Sequence, residues 1–301
     1  EATFDLGAYT YGGSAKSGNT GPGLKGGALL DAMVFNYDVR LNFDTSFTGK
    51  DLLRTRLRAG NFADSAFDGG QYRATKLDKS FESEGGPNVV ELDRLYYTFP
   101  VGSEFKATLG ARVRNTEMLA IIPSAYKSYI TDFLYGTYGT SGTYNKETGA
   151  GVGLVWKQKV KKGNPYFAAG VNYVAKNAAN GNPSEGGVMT DNAAGSFLAQ
   201  LGGAGKNWAL TGAYRYGQCG TNLRSGTQYT YNNSKAKCSA VDNGASTNSL
   251  AINGYWEPSE SGWVPSISAG WGISTFTDGY EVAINTKNAP VSYTHLTLPT
   301  I

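Results

Sequence analysis

Arg54, Arg56 and Arg58 stand at every second position of Asp51–Gly60, the clearest chemical pattern in this 301-residue chain. Three like charges at that spacing suit a grip on phosphates, a solvated sheet face, or the wall of a water-filled channel. A helix would rotate each arginine by ~200° from the last and scatter the three around its circumference. A strand keeps them on one face, ~7 Å apart, where neighbours repel by only ~0.6 kcal/mol in water but many-fold more at low dielectric. The arginine face must therefore be wet, and Leu53, Leu57 and Ala59 behind it must be dry or in lipid. A nucleic-acid surface would carry stacking aromatics beside its cations. Here the aromatics point mainly to the opposite face, and Asp38 and Asp44 share the polar face of the neighbouring strand, so no nucleic acid is expected as a partner.

Other reactive groupings are sparse. Glu91, Asp93 and Glu117 could pair for acid–base work, but nothing in their spacing requires it, and mixed charge on a solvated face is the default. The single histidine, His295, lies in Val291–Ile301. That string reads like the translation of a sequencing adapter carried into the frame and is set aside as non-native, the other reading being an ordinary final strand. Without His295 the chain has no Ser-His-Asp triad, Cys-His pair or histidine ligand, so no enzyme activity, cofactor or metal is expected. Gly21–Gly26 fits G-x-G-x-x-G, but a strand follows where a dinucleotide site needs a helix. Cys219 and Cys238 lie in a polar stretch without CxxC spacing. A disulfide across a long loop, and with it an oxidising compartment, is one reading, and two unrelated thiols is the other.

The elements that hold the arginines are legible by alternation. In Phe35–Asp44, Phe35, Tyr37, Val39, Leu41 and Phe43 alternate with Asn36, Asp38, Arg40, Asn42 and Asp44, a strict period of two. After a turn at 47–51 comes the arginine strand. Arg94, Tyr96 and Thr98 then alternate with Leu95, Tyr97 and Phe99, and after the turn 100–104, Lys106, Thr108, Arg112 and Arg114 alternate with Phe105, Ala107, Leu109, Ala111 and Val113. Further hairpins join Gly149–Trp156 to Tyr166–Val174, Ser196–Leu201 to Trp208–Tyr216, and Leu250–Trp256 to Val264–Phe276. Thr3–Thr10 supplies a first strand and Glu281–Asn285 the start of another, about twelve in all.

The connections alternate in length. Short turns at 47–51, 100–104, 157–165, 202–207 and 257–263 alternate with long links at 13–30, 63–88, 115–147, 176–194 and 217–248. That rhythm, with 41 glycines, 20 tyrosines, a net charge of +3 and no long apolar run, fits a transmembrane antiparallel barrel, whose apolar band is hidden by alternation. Phe47, Tyr97, Phe99, Phe105, Trp156, Tyr166, Phe167, Trp208, Trp256 and Trp263 gather at the short-turn ends, as an interfacial girdle does. A soluble β-sandwich explains the alternation but not the rhythm. The link Asn115–Asn145, with Met118–Pro123, Tyr126, Tyr129, Phe133 and Leu134, is too apolar for bulk water. It is read as folding inward onto the wet face, a membrane- or partner-facing flap being the alternative.

Leu41–Phe62 (LNFDTSFTGKDLLRTRLRAGNF), Leu92–Gly102 (LDRLYYTFPVG) and Ala111–Tyr126 (ARVRNTEMLAIIPSAY) resemble the barrel of cyanobacterial outer-membrane porins of the OprB-type carbohydrate-selective family, also labelled iron-uptake porins. The resemblance covers residues 1–288. It implies an antiparallel barrel of 16 or more strands, of which about twelve lie here. It also implies passive diffusion of small hydrophilic solutes through the outer membrane and a homotrimer. A preceding segment would tether the protein to peptidoglycan. Beginning at Glu1, the chain reads as lacking that segment, and the family's last strands as well.

The expectation is therefore an all-β porin fragment embedded in outer-membrane lipid. Asn36, Asp38, Arg40, Arg54, Arg56, Arg58, Arg94, Lys106, Arg112 and Arg114 would line its water side and favour anions weakly. Glu117, Tyr126, Lys127 and Asp132 would sit on a constricting loop. A mainly structural outer-membrane anchor is the second reading.

Overall fold

A computed structural model describes residues 1–8, 32–63, 65–68, 77–83, 85–125, 138, 140–223, 234–238, 244–260, 264–278 and 291–297. The fold is all-β. Among the described residues twelve strands follow in chain order: β1 (Ala2–Gly7), β2 (Val34–Thr45), β3 (Leu52–Gly60), β4 (Glu91–Val101), β5 (Phe105–Arg114), β6 (Thr148–Lys157), β7 (Tyr166–Ala175), β8 (Gly195–Ala204), β9 (Trp208–Gly217), β10 (Ala245–Trp256), β11 (Ile267–Asp278) and β12 (Val291–Thr297). The sheet order repeats the chain order, β1 to β12, and the registers are antiparallel from hairpin to hairpin. No helix among the described residues is long and apolar enough to cross a membrane, which says nothing of strands.

The alternating segments form strands where the sequence places them. β10 begins five residues earlier than Leu250 because its polar start is paired: Ser249 Oγ lies 2.7 Å from Ser274 Oγ, and Arg215 donates to Thr247 Oγ1 at 2.9 Å. β11 begins at Ile267, past Pro265, which has no N–H to give a ladder. Glu281–Asn285 lies outside the described residues. Val291–Thr297 pairs with Ser268–Ser274 of β11 through its backbone, a mode of addition to a strand edge that does not depend on the segment's origin.

The chain divides into two compact units. One comprises Glu1–Asp44 and Arg54–Arg94, the other Thr45–Leu53, Leu95–Tyr126 and Thr137–Ile301. In the second unit the faces of the strands are sharply unequal. β9 alternates without exception: Trp208, Leu210, Gly212, Tyr214 and Tyr216 are exposed, while Ala209, Thr211, Ala213, Arg215 and Gly217 are buried. Leu109, Val152, Leu154, Phe167, Val171, Leu201, Leu250, Ile252 and Trp271 continue the exposed apolar face on the other strands. The buried face carries Thr108, Asn172, Ser196, Gln200, Asn253, Ser249 and Ser274 among Ala168, Val174, Leu198, Ala213 and Ala251. A water-soluble sheet would do the reverse.

Short turns are held by side chains. The Asp51 carboxylate closes the β2–β3 turn by accepting from Ser46 Oγ, Phe47 N, Thr48 N, Thr48 Oγ1 and Tyr97 OH at 2.6–3.1 Å. These bonds, the Thr48 hydroxyl foremost, hold it far below the usual carboxylate range. Gly102, at φ +69°, makes the β4–β5 turn in a conformation that L side chains resist. Phe47 meets Tyr97 edge-on at 6.1 Å, Tyr97 stacks on Phe99 at 5.3 Å, Phe105 pairs with Trp156, and Trp208 pairs with Trp256. Tyr166 departs from this girdle. Its cross-strand partner is Ala204, on the buried face, where the Lys157 ammonium lies 4.0 Å over its ring. Trp263 is outside the described residues.

Candidate pore-facing surface

In the first unit the three arginines do share a face, as a strand requires, but they do not stand bare. Arg58 grips Asp38 with two bonds, Nε–Oδ1 at 2.8 Å and Nη2–Oδ2 at 2.6 Å, and Arg40 adds a third at 2.7 Å. Arg54 is likewise bidentate on Asp44, at 2.8 and 2.7 Å. Arg56 donates to Asn42 Oδ1 at 2.8 Å and reaches Asp93 at 3.4 Å, and Asp93 is also held by Arg94 at 2.7 Å. Burial separates the strengths of these pairs. Arg58 and Asp38 are 6% and 1% exposed, so removing one partner would strand the other at a cost of about 3–5 kcal/mol. Arg54 and Asp44 are 28% and 40% exposed, where such a pair contributes about 0–1 kcal/mol. The expected cationic wall is corrected to a ladder of matched charges. Asn36 is buried on the same face, donating to Asn61 O at 2.9 Å and accepting from Ser65 Oγ at 2.7 Å.

Arg112 and Arg114 require a second correction. The β4–β5 and β5–β6 ladders slip around Ala111: Tyr96 pairs with Gly110 but Leu95 with Arg112, and Gly110 pairs with Gly151 but Val113 with Gly149. A β-bulge inserts one residue and flips the alternation beyond it. Lys106 and Thr108 keep the polar side, with Thr108 Oγ1 2.9 Å from Thr98 Oγ1. Beyond the bulge Val113 and Asn115 take that side, both fully buried, and Arg112 and Arg114 turn to the other. Gly110 permits the bulge, since a Cβ there would lie 2.5 Å from the Tyr96 Cβ.

The link after β5 is the most built part of the polar face. Its described residues, 115–125, 138 and 140–147, lie on β6–β11. Met118 packs with Tyr96, Val113 and Val174, and a Cβ on Gly153 would come within 2.8 Å of its Sδ. Ile121 packs with Ala168, Ala204 and Ala209, and Tyr144 with Leu198, Ala213 and Ala251. Small side chains on the strands leave room for the loop, and single polar ones anchor it. Gln200 accepts from Ala120 N and Ile121 N, both at 3.0 Å, and donates to Ile121 O at 2.9 Å and Tyr144 OH at 3.1 Å. Arg215, fully buried, donates Nε to Gly142 O at 2.6 Å. Asn172 donates to Asn115 O, and Asn253 to Tyr138 O. Asn145 ties the loop to Asn222 O at 2.8 Å. Burial pushes the Tyr144 hydroxyl up to about 12, so it stays protonated.

Of the four residues expected to constrict a channel, Tyr126, Lys127 and Asp132 lie outside the described residues. Glu117 turns back on its own chain, accepting from Arg114 N at 3.1 Å. Cys219 and Cys238 are joined by a disulfide, with Cα atoms 5.2 Å apart. Among the described residues, no group of three or more His, Cys, Asp or Glu is placed to hold a metal ion.

Comparison with known proteins adds little about activity. No protein-family model matches the chain. The uncharacterized protein alr4550 of Nostoc sp. (strain PCC 7120) is 29% identical over 252 residues, 75% of this chain and 42% of the relative. The uncharacterized protein sll0772 of Synechocystis sp. (strain PCC 6803) is 29% identical over 170 residues, 55% and 29% of the two chains. The chain thus spans less than half the length of either relative.

Proposed function

We propose that the sheet is part of the wall of an outer-membrane β-barrel, and that the protein is a passive diffusion channel for small hydrophilic solutes. One observation carries the reading: the exposed face of the strands is apolar, while their polar side chains gather on the buried face among small residues, an inversion that suits lipid outside and water inside. The aromatic pairs at the short-turn ends and the alternation of short and long connections support it, and the cyanobacterial source of the two relatives agrees with the resemblance to OprB-type porins. A homotrimer and a peptidoglycan tether belong to the same proposal. The matched charges on β2–β4 would keep the lumen hydrated without a strong sign. A diffusion channel needs no covalent chemistry.

The loop on the polar face favours a second reading, an anchor barrel that conducts little, because its buried contacts fill space a solute would use. Planar-bilayer recording separates the two. The purified chain should give discrete ohmic steps. A protein that inserts without steps would leave the anchor reading standing and remove the channel.

A further inference from the structure

At the short-turn end of β5–β9 lies a cavity of about 860 Å³. Leu119 and Ala120 of the loop after β5 and Val155 of β6 supply its apolar lining. Six lysines belong to its lining, Lys106, Lys157, Lys159, Lys161, Lys162 and Lys206, all exposed residues. Among the described residues, Glu104 is the one carboxylate in the lining. It is occupied by Trp156 Nε1 at 3.3 Å and the backbone N of Lys159 at 2.8 Å. Among the described residues none of the six lysines is ion-paired, in contrast to the arginines of β3.

We propose that this cavity is a collecting site for small polyanionic solutes, of the class of phosphorylated metabolites. The proposal rests on the channel reading for its place on a solute's path. Like charges without ion-pair partners around a concave surface raise the local concentration of anions. Lysine ammoniums are mobile point charges and suit phosphate without fixing one orientation. The volume matches a ligand of several ring sizes rather than a lone ion. Lys106 and Lys157 stand on the polar face with Thr108 and Ala168, away from the apolar face, so a dissolved phosphate is favoured over a lipid headgroup. Any anion preference thus comes from this turn-end cluster and not from Arg54, Arg56 and Arg58.

The test is titration calorimetry of the detergent-folded chain with inorganic tripolyphosphate at low ionic strength. Binding is expected, and it should weaken as salt is added. Replacing Lys157, Lys161, Lys162 and Lys206 by glutamine should weaken it by about tenfold or more, from four exposed charges each contributing roughly two-fold. Arg54→Gln with Arg56→Gln should leave it within about two-fold. Absence of tripolyphosphate binding, or loss in the arginine variant instead, overturns the site, as does a short-chain phosphatidic acid binding where tripolyphosphate does not. Tripolyphosphate binding in a protein that gives no current would uphold the site while removing the channel. Current without that binding would do the opposite.

Discussion

In the barrel reading, Ile252→Arg should destabilise the membrane-folded chain by about 2–4 kcal/mol, the cost of a cation at the lipid-facing centre of a strand. Ile252 is 56% exposed, lies across from Trp271 and Gly212, and sits four residues from Trp256 at the short-turn end. At ~3.4 Å per residue along a strand tilted by ~45°, that is about 10 Å from the aromatic level, close to the middle of a ~25 Å apolar band. Urea unfolding from phospholipid vesicles measures the change. In a water-soluble sheet the same substitution at so exposed a position would shift stability by only about ±0.5 kcal/mol. The size of the effect therefore distinguishes lipid from water on that face. Ile252→Ala, which removes bulk but adds no charge, should fold and lose far less.

Gln200→Met should detach the inward loop from the sheet. Methionine keeps the length of the side chain but can neither accept from Ala120 N and Ile121 N nor donate to Ile121 O and Tyr144 OH. Each buried polar group left unmatched costs about 1–3 kcal/mol, and partial relaxation of the loop would hold the total near 2–4 kcal/mol. The apolar contacts of Ile121 with Ala168, Ala204 and Ala209 remain, so the strands themselves should persist. In the channel reading, conductance should rise and become noisier, and protease should cut between Asn115 and Glu147 faster than in the parent. Unchanged proteolysis and unchanged conductance would mean that the loop is held elsewhere and Gln200 is not its main anchor.

Regular alternation made the strands legible, because a period of two over ten residues admits no other element. The face assignment held for Arg54, Arg56 and Arg58 but slipped at Arg112 and Arg114. One extra residue near Ala111 reverses every later side chain, and nothing in the local sequence marks it apart from Gly110. The charge balance of the ladder was half visible, since Asp38 and Asp44 stand on the matching face of the adjacent strand. Their pairing with particular arginines depends on register, which alternation alone does not fix.

Gln200, Asn172, Arg215 and Asn253 were missed as loop anchors. Each is a lone polar side chain at an inward position among small residues, a weak signal that could have been read. Their partners, however, are backbone groups as far as 115 positions away in the chain. The lysine cavity escaped for a related reason. Lys157–Lys162 looked like an ordinary polar turn, and Lys106 and Lys206 come from two other hairpins.

The inverted sheet face is tested most directly at Trp271, which is 42% exposed on the apolar side of β11. In a variant keeping Trp271 and carrying phenylalanine at the other four tryptophans, fluorescence would be recorded in vesicles of lipids brominated along the acyl chain. Strong quenching by bromine near the chain centre, with little quenching by aqueous acrylamide, is the predicted result. Efficient acrylamide quenching with none from the brominated lipids would contradict a lipid-facing surface and with it the channel.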